Sequence, residues 1–128
     1  MTDYCTKRAG GSAEAIMAVF REMRGQLAPL QGQKRTTWLQ AVAVGDVAIV
    51  GVPAELFTKL GVDIKRGSPF HHTVVAELAN DWIGYVGDLE GHRLGGYQMW
   101  TGLHSYAEPG TGERMVNQAL QMLHELNA

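Results

Sequence analysis

The chain has 128 residues, 45% of them hydrophobic and 19% charged, and a formal net charge of −2, which fits one globular domain rather than two, or a disordered chain. Without a basic excess or a single-sign charge block, nothing points to nucleic acid or to a charged membrane surface. No run of about 18 apolar residues occurs, and Met1-Thr2-Asp3-Tyr4 leads into no apolar signal core, so neither a transmembrane helix nor a signal peptide is expected.

Residues 1–11 close on Ala9-Gly10-Gly11 and read as an unstructured tail. The single cysteine, Cys5, falls in this tail, which excludes an intramolecular disulfide and reads as a free thiol. From Ser12, expected as an N-cap, Ile16, Phe20, Met23 and Leu27 recur at helical spacing, and this amphipathic helix should end before Pro29. After a polar link, the β-branched and partly alternating residues 36–44 predict a strand. Gly45-Asp46 supplies a two-residue turn, and the continuous apolar run 47–52 predicts a second strand buried on both faces.

Pro53 closes that strand. Leu56, Phe57, Leu60 and Ile64 then mark a short helix that finishes near Pro69. Residues 73–78 read as a third strand. A long Gly-rich loop, 80–112, follows, with Trp82, Tyr85, Tyr97, Trp100 and Tyr106 spread along it, and loops of this length in compact domains are often functional. Thr111 is expected to cap a last helix whose buried stripe is Val116, Ala119, Leu120 and Leu123. The order α-β-β-α-β-loop-α predicts an α/β fold over residues 12–128: a small mixed sheet of about three strands with three helices, in a two-layer or three-layer arrangement. The strand-helix-strand unit fits a parallel crossover, with helices over the sheet's faces. So small a sheet implies that the chain oligomerises or that the sheet continues in further polypeptide.

Four features could carry chemistry. Glu55 stands where the buried strand ends and a helix begins, a position suited to a metal ligand or base but equally to a helix-stabilising carboxylate. Tyr85 and Tyr97, twelve residues apart, flank Asp88, Glu90 and His92; a phenol binds metal or stabilises an oxyanion only beside a cation or strong donors, and packing under the loop is the simpler role. His71 and His72 are neighbours, which in a strand point to opposite faces, and His92, His104 and His124 share no metal-binding spacing with them. Gly110-Thr111-Gly112 could hold an anion at a helix start but lacks the lysine of a phosphate-binding loop. No nucleophile elbow occurs, and Ser12, Ser68 and Ser105 sit in no hydrolase triad pattern.

Three motifs, taken together, resemble one family. Gly45 through Glu55, reading Gly-Asp-Val-Ala-Ile-Val-Gly-Val-Pro-Ala-Glu, then Ala79-Asn80-Asp81-Trp82-Ile83-Gly84-Tyr85, then Gly95-Gly96-Tyr97 are similar to the C-terminal part of the neutral ceramidase catalytic domain. The resemblance runs from about Thr37 to Leu126. It includes residues 65–73 with Ser68-Pro69-Phe70, and the helix start Gly110-Thr111-Gly112-Glu113. It implies a zinc-dependent amide hydrolase whose substrate is a sphingolipid or another acyl amide. Glu55 and Tyr85 would be zinc ligands and Tyr97 a catalytic residue near the amide carbonyl, with zinc activating a water and, with Tyr97, stabilising the oxyanion.

The resemblance also implies what is missing. Both histidine ligands of the family come from segments upstream of anything in this chain, and two oxygen donors fall short of the three protein ligands a catalytic zinc site uses. Val86-Gly87-Asp88 follows Tyr85 where ceramidases carry a threonine pair, which leaves substrate preference open. The sequence therefore reads as a fragment or truncated member of the family, inactive alone. A non-enzymatic domain that self-associates or binds a partner through its sheet edge is the alternative. A third reading has a neighbouring copy completing the metal site with His71, His72 or His92.

Overall fold

The computed structural model describes residues 2–128. The first difference from expectation is at the N-terminus. Residues read as a tail form a helix, α1 (Thr2–Ala9), with Cys5 only 2% exposed. A 3-10 turn, Gly10–Ser12, links it to α2 (Ala13–Leu27). Ser12 holds the N-cap position but makes no capping hydrogen bond through its side chain. Pro29 lies in the 3-10 turn Ala28–Leu30 that ends α2, where its fixed φ and missing N–H stop further α-helical bonding.

Strands β1 (Gln40–Val44) and β2 (Val47–Gly51) form the expected antiparallel hairpin, with Gly45 at φ +60 in the turn. The next strand of this sheet runs His72–Ala76 and pairs parallel to β2, with Val47 opposite His72 and Gly51 opposite Ala76. The order is therefore edge hairpin strand, β2, then the parallel strand, a mixed three-stranded sheet as predicted. Between β2 and that strand the chain forms a two-residue strand, β3 (Glu55–Leu56), and α3 (Thr58–Gly67). Leu56 and Phe57, expected at the start of the helix, instead belong to β3 and the N-cap. The strand His72–Ala76 is then β4. The long loop is structured as β5 (Tyr85–Val86), α4 (Leu89–Leu94) and a 3-10 turn, Tyr97–Met99. The chain closes with α5 (Thr111–Leu126), whose N-cap is Gly110 at φ +87 rather than Thr111. Among the described residues there are thus five α-helices, the three expected and two more.

One face of the sheet carries the core. Ala48, Val50 and Val52 pack with Leu60 and Ile64 of α3 and with Val116, Ala119 and Leu123 of α5. Leu60, Ile64 and Leu123 are at most 1% exposed, and burial of each contributes roughly 1.5–3 kcal/mol. Among the described residues no helix covers the opposite face. Side chains alternate across a strand, so Val42, Ile49 and Val74, which are register partners in one row across the three strands, all point to the open side. They are 44%, 44% and 49% exposed. The expectation that β2 is buried on both faces is corrected here: its apolar run is continuous, but only alternate residues meet the core.

Candidate functional site

Pro53 and the buried Ala54 carry the chain from the C-terminal end of β2 directly into a second, two-rung ladder, in which β3 pairs parallel to β5 and Glu55 lies opposite Tyr85. Glu55 N–H donates to the Gly84 carbonyl at 3.1 Å, and Phe57 N–H to the Val86 carbonyl at 3.0 Å. A further segment fixes the other side: Tyr85 N–H donates to the His104 carbonyl at 2.7 Å. That contact depends on Gly84, which sits at φ +81 where a Cβ would lie 2.2 Å from the His104 oxygen. No residue with a side chain fits there without moving backbone.

The side chains of Glu55 and Tyr85 meet as their backbones do. Interaction with the Glu55 carboxylate raises the Tyr85 pKa above the ordinary phenol value, with burial and the charge of Glu55 acting in the same direction. Glu55 Oε2 is buried and has no hydrogen-bond partner among the described residues, the state in which a buried carboxylate oxygen is open to a cation or a donor. Glu77, one residue past β4, shares the neighbourhood. Burial first and the charge of Glu55 second push its carboxyl up, against a backbone N–H donated by Leu56. These residues, with Phe57, Lys59 and Gln98, line an open depression of about 550 Å³.

Tyr97 borders the same place. Its ring centre is 6.3 Å from that of Tyr85 and it is 49% exposed. His104 stacks on it at 4.9 Å with an 18° interplanar angle, and its Nε2 lies 3.2 Å from the Tyr97 carbonyl. Phe20 of α2 meets Tyr97, Trp100 and His104 edge-on. Between these rings and α1 lies an apolar groove of about 420 Å³ that Cys5, Ile16 and Met23 also line.

The structure brings together Glu55, Tyr85 and Tyr97 and leaves the other candidates elsewhere. His71 and His72, ring centres 4.5 Å apart, lie at the start of β4, where His72 N–H bonds to Asp46 of the hairpin turn. That is the opposite end of the sheet from Glu55, about 13 Å away along β2 alone. Asp88 caps α4 by accepting from Gly91 N–H at 2.9 Å, and Glu90 is paired with Arg93. His92 lies on α4 and His124 on α5. At the Gly110–Gly112 helix start most polar groups are engaged internally, although Glu113 Oε2 is buried without a hydrogen-bond partner among the described residues. Arg114 binds Glu108 and Thr111, and Glu113 accepts from Leu89 N–H, so two carboxylates stand where an anion would bind.

Sequence reasoning missed Glu77 and His104. Glu77 had a signal, being a carboxylate past the C-terminal end of the strand parallel to β2, where open α/β sheets collect functional groups. His104 had none, because only the bridge between Gly84 and Ser105 brings it in.

The zinc implied by the resemblance meets a partial donor set here. Glu55 and Tyr85 are adjacent and Glu55 Oε2 is unpaired, which suits a cation. Yet among the described residues no group of three or more His, Cys, Asp or Glu side chains is placed to hold a metal ion, and the nearby imidazole, His104, whose ring centre is 6.1 Å from that of Tyr85, has its Nε2 against the Tyr97 carbonyl. One carboxylate and one phenol do not make a catalytic zinc site. No helix among the described residues is long and apolar enough to cross a membrane.

No protein-family model and no curated protein sequence matches the chain. Among solved structures, it is similar to a ceramidase complexed with C2, with a TM-score of 0.62 and 23% identity over 70% of this chain and 14% of that one. It is likewise similar to neutral ceramidase from Pseudomonas aeruginosa, with a TM-score of 0.62 and 23% identity over 69% of this chain and 15% of that one. The likeness establishes a shared fold and agrees with the resemblance read from the three motifs. The chain spans about one-seventh of the length of the ceramidases it matches.

Proposed function

We propose that this chain supplies the oxygen-donor side of a ceramidase-like amide hydrolase site. Glu55 and Tyr85 are the metal ligands in this reading and Tyr97 the group beside the substrate carbonyl. The imidazole donors come from polypeptide beyond these 128 residues, and the chain alone does not hydrolyse amides. The substrate class is an N-acyl amide, a sphingolipid or a relative of one. The observation that carries this reading is the Glu55–Tyr85 rung, which sets a carboxylate with an unpaired buried oxygen against a phenol in a fold shared with neutral ceramidases.

Cobalt(II), whose visible spectrum reports ligand number, tests it in the purified chain. Expected is weak binding that strengthens at least tenfold when free imidazole is added, with Glu55→Gln and Tyr85→Phe abolishing the gain. Imidazole enhancement that survives both substitutions sinks the assignment of Glu55 and Tyr85. Tight stoichiometric zinc binding without imidazole, or hydrolysis of a short-chain N-acyl amide, sinks the claim that the donor set is incomplete.

The second reading, an alternative to the first, is a non-enzymatic domain that self-associates or binds a partner chain, and the uncovered sheet face favours it.

A further inference from the structure

Tyr97 touches two places, the Glu55–Tyr85 site and the apolar groove of about 420 Å³ between the N-terminal helices and the aromatic loop. Into the groove α2 presents Ile16, Val19, Phe20 and Met23, which share one helix face at helical spacing. The run from Ile16 to Met23 is about 10 Å along the helix axis. Trp100 and His104 line the groove from the aromatic loop, where Phe20 meets both rings edge-on at 5.2 and 5.4 Å. From α1 come the buried Cys5 and, in its last turn, the exposed Arg8. Arg8 is the one Lys, Arg, Asp or Glu among the described residues that line the groove.

We infer that this groove binds a free medium-chain fatty acid, with the hydrocarbon chain along α2 and the carboxylate at Arg8. Charge and polarity of the lining both select such a ligand. A single guanidinium with no acidic side chain in the lining complements one anionic group, and its fork of N–H donors matches a carboxylate. The rest of the lining offers few hydrogen-bonding groups. His104 Nε2 lies against the Tyr97 carbonyl, and α1 and α2 engage most of their backbone groups within the helices. A polypeptide segment laid there, from a longer chain or from a second copy, would bury N–H and C=O groups without partners, which is costly. A hydrocarbon chain carries none. The volume falls within the range of small-molecule pockets. The inference does not depend on metal binding or catalysis at Glu55 and Tyr85.

Trp100 fluorescence tests it, in a chain where Trp38→Phe and Trp82→Phe remove the other two tryptophans, both exposed and outside the groove. Hexanoate, octanoate and decanoate are titrated at neutral pH, below micelle formation. Trp100 emission is expected to change saturably, with affinity rising about tenfold for each two methylenes and little further gain beyond decanoate, whose chain fills the length of the groove. Val19→Glu sets a carboxylate beside the chain at a position 49% exposed, and should weaken decanoate binding at least tenfold with helicity unchanged. Arg8→Gln should weaken decanoate binding about fivefold and leave decanol binding as it was; at an exposed position, it carries the test should Val19→Glu not fold. Affinity that keeps rising with chain length, or that ignores both substitutions, overturns the inference as unspecific partition. A chain that binds none of the acids also overturns it, and self-association lost in Val19→Glu would then assign the groove to a second copy.

Discussion

Glu55 and Tyr85 are opposite one another in a parallel ladder only two rungs long, and the carboxylate of one raises the pKa of the other's phenol. Two rungs contribute little by themselves, so the pair persists because its neighbours are fixed: Pro53 and Ala54 in the core on one side, the Gly84–His104 contact on the other.

Gly84→Ala should therefore damage the site through its frame. The new Cβ meets backbone at a positive φ, and the expected cost is about 2–4 kcal/mol. Gly110, in the left-handed region at φ +87 and ψ −5 with no atom nearer a new Cβ than Arg114 Nη1 at 3.7 Å, provides the contrast, since Gly110→Ala should cost only about 1 kcal/mol. Urea unfolding of both variants measures the difference, and equal costs would show that the His104 contact is not rigid.

Tyr85 should release its proton later than an ordinary phenol. Its folded pKa is raised, so the associated stability is complete below the ordinary phenol pKa and is lost as pH climbs through the raised value. Tyrosinate absorbance during alkaline titration should show one late transition, absent in Tyr85→Phe and shifted toward the ordinary range in Glu55→Gln. A late transition unmoved by Glu55→Gln would mean that burial alone holds the proton.

Glu77 works against the fold at neutral pH. Burial and the neighbouring Glu55 charge raise its pKa, so its favourable contribution is present below the ordinary carboxylate pKa and disappears as pH rises through the raised one. Glu77→Gln should melt higher than the parent at pH 7, by the order of 1–2 °C for so exposed a group. The two proteins should converge near pH 3. A difference that persists at pH 3 would point to packing rather than charge.

Phe20 anchors α2 on the aromatic loop through Tyr97, Trp100 and His104. Phe20→Ala should cost about 3 kcal/mol and reduce the near-ultraviolet dichroism from Trp100, while the main sheet keeps its far-ultraviolet signal. Unchanged near-ultraviolet dichroism would show that the rings hold their places without α2.

Local physics made much of this molecule legible from its residues. The stripe Ile16, Phe20, Met23, Leu27 marks a helix because its period is 3.6, and Gly45-Asp46 between β-branched runs marks a hairpin because few other residues permit that turn. The α/β order and the three-stranded mixed sheet were readable on that basis, and the likeness to neutral ceramidases was readable from three motifs that resemble that family. What sequence could not supply depends on contacts between distant segments. A continuous apolar strand reads the same whether one face is covered or two, so the exposure of Ile49 emerged only with the helices in place. Cys5 reads as tail until α1 packs against α2. His104 reaches Tyr97 only through the bridge from Gly84 to Ser105. The sequence by itself determined the three strands of the main sheet and three of the helices, and named Glu55, Tyr85 and Tyr97 as candidates. Only the tertiary structure decided that the three share one place and that His71 and His72 lie at the far end of the sheet, because those placements are set by backbone hydrogen bonds between residues dozens of positions apart.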